Sequence, residues 1–260
     1  METYLTPQVI AIAEDIDVIP LLDNLVSLRQ GGRQHTIEFL ELRQQLTDRI
    51  LLAAFEVSSG VAEVVCERDR ADQVAHRLDE IDTSRIRGLT LASIVLGGVA
   101  AIVSGGIGLA GGATTASDAV EVAGGVFSTM FGVTALFTKS KQEFTHDRNV
   151  LSELWNDPPT SPLFSPSIWR FLHRPHKEGK TPREELVAAW RHEGRLGKPG
   201  STHEEKRIVL LLGQGGSYHS TELHARASML EELEATIQLM HQELELFVRE
   251  IAKLSAKPDG

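Results

Sequence analysis

The chain has 260 residues, a formal net charge of −10 from 26 Lys and Arg against 36 Asp and Glu, and 24% charged residues. That composition excludes a disordered chain and disfavours nucleic acid as a partner, because an acidic surface repels phosphate backbones. The single cysteine, Cys66, excludes an intrachain disulfide, and the opening METYLTPQVIAIAEDIDVIP lacks a basic n-region, so cytoplasmic synthesis is expected, with leaderless export as the alternative.

In residues 1–87 the pattern is helical. PQVIAIAEDIDVIPLLDNLVSLRQGG reads as one or two short amphipathic helices, interrupted at Pro20 and stopped by Gly31 and Gly32. From Arg33 to Arg87, the apolar residues Phe39, Leu42, Leu46, Ile50, Ala53, Val57, Val61, Val64, Ala71, Val74, Leu78 and Ile81 recur mostly at spacings of three and four, with one break at the charged run CERDR. They predict one face of a long helix.

The pattern then changes to GLTLASIVLGGVAAIVSGGIGLAGG. Leu89 to Ala110 is a run of 22 uncharged residues, about 33 Å as a helix, enough to cross a hydrocarbon core of about 30 Å. A polar break, GGATTASDAVE, separates it from the shorter apolar run Val122–Phe137. The two runs predict an apolar helical hairpin over 88–138. Small residues line it one turn apart: Gly97, Ala101 and Gly105, with Gly108 beside them, and Gly124, Ser128 and Gly132 on the second helix. Such stripes let helix backbones approach where lipid provides no hydrophobic drive to associate. Arg85 and Arg87 precede the hairpin and Lys139 and Lys141 follow it, while the connecting turn carries Asp118 and Glu121. By the positive-inside rule both termini stay cytoplasmic and the turn crosses.

A helix leaving the hairpin is expected over 139–155, ended by Pro158, Pro159, Pro162 and Pro166. The Pro-rich, basic insert at 156–217 contains a capping signal, Thr181 followed by Glu184, for a short helix ending near Gly194. Its aromatics most simply dock the insert onto a bundle. As an alternative, Trp169, Arg170, Phe171, Arg174 and Lys177 form a surface that would meet anionic headgroups. A heptad-like helix closes the chain at 218–257, with Leu223, Ala227, Leu230, Leu233, Ile237, Met240, Leu244, Phe247, Ile251 and Leu254 on one face.

No enzymatic, metal or cofactor motif stands out. His173 and His176 in HRPH, and His219 and His224 in HSTELH, form no standard zinc motif with a nearby acid and read as surface histidines. IVLLLGQGGSYHST resembles a short strand and a glycine turn, but lacks the second glycine and Lys of a P-loop. Cys66 has no adjacent His to activate it.

The expected fold is all-α: long amphipathic helices forming an elongated bundle around a Gly-rich apolar hairpin. With LASIVLGGVAAIVSGGIGLAGG and AGGVFSTMFGVTALF between long amphipathic helices, this layout resembles the α-helical pore-forming toxins of the cytolysin A and haemolysin BL type. The resemblance implies a helical rod that hides an apolar head and extends it into a bilayer during oligomerisation. The function expected is non-enzymatic: insertion of the hairpin to anchor a helical, self-associating assembly, with the lipid bilayer as partner and no small-molecule substrate. The alternatives are an inducible pore-former and a soluble helical scaffold or signalling protein with a buried hairpin.

Overall fold

The computed structural model describes the backbone of residues 5–33, 36–109, 139–176 and 179–255, and the side chains of the same ranges except 92–109 and 254–255. The protein is mostly helical, with eight α-helices and one two-stranded sheet among the described residues. In chain order these are α1 (Pro7–Asp15), α2 (Ile19–Gln30), α3 (Ile37–Leu109), β1 (Gln142–Thr145), α4 (Val150–Asn156), α5 (Pro166–His173), α6 (Pro182–His192), α7 (Thr202–Leu212), β2 (Gly215–Tyr218) and α8 (Ser220–Ser255). The chain divides into two compact units. Unit 1 comprises Met1–Ala71, Thr145–Gly216 and Ala225–Gly260, and unit 2 comprises Asp72–Phe144 and Ser217–His224.

The long arm and the first apolar run, expected as separate helices, form one element. Helix α3 has 73 residues, about 110 Å of helix axis at 1.5 Å per residue. Phe39, Leu46 and Ala53, then Val57, Val64, Ala71 and Leu78, are buried along it. These seven-residue steps, shifted once by four, keep a single stripe on one face. The stripe ends at Leu78: Ile81, expected to continue it, is 43% exposed, and Ile86 and Leu91 follow it to the surface.

In unit 1 the stripe of α3 faces α8, which buries Ala227, Leu230, Leu233, Ile237, Met240, Leu244, Phe247 and Ile251. Ser58 meets His241 at 3.4 Å and Arg68 pairs with Glu234. Residue numbers rise along one helix as they fall along the other, so the two run antiparallel. Each large apolar side chain removed from water here contributes about 1.5–3 kcal/mol.

The shorter helices start where local chemistry starts them. Thr6 caps α1 by accepting from the Val9 amide, with Pro7 in the first turn. The break between α1 and α2 falls at Asp17, which has a left-handed φ of 58°, while Pro20 sits harmlessly in the first turn of α2. Ser165 caps α5 and Pro166 opens it. Thr181 and Glu184 form the expected capping box of α6, and Gly194 follows that helix with a φ of 72°. Helix α5 lies so close to α3 that a Cβ on Gly60 would come within 2.7 Å of the Ile168 Cδ1.

Two expectations are corrected. Residues 139–155 do not form one helix: β1 occupies Gln142–Thr145, and helix resumes only at Val150. The strand-like IVLLL belongs to α7, because Ser201 accepts from the Glu204 amide and starts a helix that runs through to Leu212. The glycine turn expected after it is β2, paired with β1. Gly216 adopts a φ of 154° there, a conformation that side-chain-bearing residues avoid.

Candidate functional site

Unit 2 holds the base of the apolar segment. The Ser140 amide donates to Asp82 Oδ1 at 2.8 Å across 58 residues of sequence. The Ser140 carbonyl accepts from His219 Nδ1 at 3.0 Å, so the contact requires the tautomer protonated on Nδ1. The His219 amide in turn donates to Glu222 at 2.8 Å, and Phe144 meets Tyr218 edge-on at 5.8 Å between ring centroids. The chain therefore leaves the level of Asp82 on α3 and returns to it at Ser140. Arg85, Arg87, Lys139 and Lys141, expected to flank the hairpin, are exposed at the two sides of this closure.

The hairpin itself is described only in part. Gly97, Ala101, Gly105 and Gly108 lie in the helical backbone of α3, where side-chain surroundings are outside the described residues. Gly124, Ser128 and Gly132 fall in 110–138, wholly outside them. Among the described residues no helix is long and apolar enough to cross a membrane.

Next to the closure lies a cluster that the sequence reading missed. Asp72, His76 and Asp79 are spaced by four and three along α3, which places them on one face. His224, in the second turn of α8, comes to that face: its Nε2 lies 2.9 Å from Asp79 Oδ2 and its Nδ1 lies 3.6 Å from Asp72 Oδ1. The His76 and His224 rings meet edge-on at 5.4 Å. One ligating atom from each of His76, Asp79 and His224 lies within 4.8 Å of the others. The side chains of His224 and Asp79 are 39% and 47% exposed, so solvent reaches the group. Burial pushes the Asp79 carboxyl up, but hydrogen bonds from Ser220 and His224 and the charges of His224 and His76 outweigh it and leave the carboxyl below its usual range. A useful sequence signal was the Asp72, His76, Asp79 spacing; the partner His224 is 145 residues from Asp79.

The residues expected at a membrane surface are placed otherwise. Trp169 and Phe171 are 8% and 0% exposed, buried with Ile168 and Leu172 on α5, which packs against α1. Arg170 Nε donates to the Asp15 carbonyl at 2.7 Å. Arg174 pairs with Asp15 at 3.1 Å and with Glu243. Lys177 lies outside the described residues. The aromatic side chains thus dock the insert inside unit 1, where α5 packs on α1 and Trp169 stacks on Phe164 at 6.0 Å between ring centroids.

Three polar groups are sealed in unit 1. Arg226, 0% exposed, donates to Asn149 Oδ1 at 3.1 Å and to the Leu211 carbonyl at 2.8 Å. Burial, then the charges of Arg226 and Arg70, push His146 down to about 3. Burial pushes Asp15 up to about 7; Arg174 opposes the shift and Glu243 adds to it.

No family model, curated protein or solved structure matches the chain.

Proposed function

We propose that the protein is a non-enzymatic, membrane-associated helical protein. It inserts the Gly-rich hairpin at 88–138 and anchors a self-associating assembly whose long amphipathic helices form an elongated bundle. What carries the reading is the closure of Asp82 on Ser140. It makes the intervening chain an excursion from one place on α3, and that excursion contains the two uncharged runs between exposed basic residues. A segment of this kind places its apolar part in hydrocarbon and its cations at the headgroups on one side.

Helix α3 adds to the argument. Its backbone continues unbroken from the packed arm to Leu109, and Ile81, Ile86 and Leu91 are exposed where the core stripe stops. The resemblance to α-helical pore-forming toxins favours a second reading, in which the same hairpin is released only on oligomerisation and opens a pore.

The test is topological. In sealed vesicles carrying the full chain, a protease site inserted near Thr115 should be protected while sites at both termini are cut, and carbonate should leave the protein in the pellet. A Thr115 site cut from the same side as the termini overturns the proposal. Release of dye from loaded liposomes then separates the pore-former from the anchor.

A further inference from the structure

We infer that His76, Asp79 and His224 bind a divalent transition-metal ion of the zinc class, with Asp72 as the positioning residue for His224. Among the described residues, these three side chains form the one such group whose ligating atoms converge. The donor set selects the ion. Two imidazole nitrogens and a carboxylate oxygen suit zinc, cobalt or nickel, whereas calcium and magnesium demand six or more hard oxygen ligands.

The geometry needs little adjustment. In a tetrahedral site with ligands at about 2.0–2.2 Å, donor atoms stand about 3.4 Å apart. His224 Nε2 and Asp79 Oδ2 are already 2.9 Å apart, so an ion replaces the shared proton as the two atoms separate by roughly half an ångström. The exposed ring of His76 then closes from one turn earlier on α3. Water takes the fourth position, which the exposure of Asp79 and His224 allows.

Asp72 gives the cluster a feature that a chance ion pair lacks. With Nε2 on the metal, the other nitrogen of His224 carries the proton, and it faces Asp72 Oδ1 at 3.6 Å. A carboxylate behind a ligating histidine fixes the ring's tautomer and orientation. The bound ion would also join α3 to the start of α8 within unit 2, one helical turn from Asp82. Occupancy therefore strengthens the base from which the apolar excursion departs.

The experiment uses the full chain, stripped with EDTA and dialysed, in water without vesicles, so its outcome is independent of the membrane reading. Titration with zinc chloride should give about one equivalent of binding and raise the melting temperature; magnesium and calcium chlorides at the same concentration should do neither. Cobalt chloride should give the intense visible absorption of a four-coordinate site. His76→Ala and His224→Ala, checked for unchanged circular dichroism, should each abolish that absorption. Asp72→Ala should weaken zinc by about tenfold or more while keeping the cobalt spectrum, and Asp72→Glu should restore affinity. The weak spectrum of six-coordinate cobalt in the unmutated chain overturns the proposal, as does zinc binding that survives both histidine substitutions and so belongs to others of the ten histidines. Absence of binding overturns it equally.

Discussion

Helix α8 keeps an apolar stripe buried from Leu223 to Ile251, whereas α3 keeps one only from Phe39 to Leu78 and then exposes Ile81, Ile86 and Leu91. Both helices are long and rich in apolar residues. The first is apolar because it is core. The second changes regime partway along, and the uncharged run begins within about three turns of that change. Hydrophobic content alone does not say where a helix is packed; the end of the buried stripe does.

The largest test of the contrast is truncation of one leucine in each regime. Leu230, 0% exposed on α8, should cost about 2–5 kcal/mol as Leu230→Ala, through lost burial and the cavity left behind. Leu91, 63% exposed on α3, should change stability by no more than about 0.5 kcal/mol as Leu91→Ala. Denaturant melts of the two variants measure this directly, and a cost above 1 kcal/mol at Leu91, against the surface range of about 0.5 kcal/mol, would place that residue in a core.

The same contrast sets what the sequence could reveal. The stripes of α3 and α8 were legible because helical spacing recurs over many turns, and the capping box of Thr181 with Glu184 because cap chemistry is local. The four-residue strands QEFT and GGSY were not legible, since each is too short to display a period and is stabilised by the other from far along the chain. Trp169 and Phe171 could be read as exposed or docked, because only the packing of α5 on α1, a tertiary contact, buries them. The closure of Ser140 on Asp82 and the convergence of His224 on His76 and Asp79 are tertiary contacts, and no local periodicity encodes them. Arg226 carried a weak signal: a cation three residues from Leu223 and four from Leu230 lies within the apolar stripe.

A second test sharpens the far side of the comparison. Val99 lies in the uncharged run of α3, and Val99→Arg should oppose membrane insertion by about 2.5–3.5 kcal/mol on the translocon scale. Carbonate extraction should move the variant toward the supernatant. Unchanged partition, together with a lowered melting temperature, would favour a soluble scaffold with a buried hairpin.

Acid probes the packed side. Asp15, at about 7 in the fold against 3.8 ordinarily, holds a proton there that the unfolded chain releases, so its contribution to stability grows as pH falls from 7 toward 4. His146, at about 3 against 6.5, stays neutral in the fold while the unfolded chain takes up a proton, so its contribution is lost as pH falls from 6.5 toward 3. Between pH 4 and 6.5 the two oppose each other, each on the order of 1 kcal/mol per pH unit. Relative to the unmutated protein, His146→Gln should therefore gain stability on acidification and Asp15→Asn should lose it. Parallel pH profiles for the three proteins would refute the assignment.

The smallest effect tests whether the insert is folded by its own local chemistry. Thr181 accepts from the Glu184 amide at 3.1 Å, and the Glu184 carboxylate accepts from the Thr181 amide at 2.9 Å. Thr181→Ala removes one half of this exchange and should cost about 1 kcal/mol. Helix α6 carries Leu186 and Trp190, 6% and 0% exposed, so loosening its start weakens the docking of the insert. A melt by Trp fluorescence should fall together with the melt by circular dichroism if the insert and the remainder of unit 1 unfold as one. Were the fluorescence transition to fall alone, the insert would be a separable layer that unfolds apart from the α3 and α8 packing of unit 1.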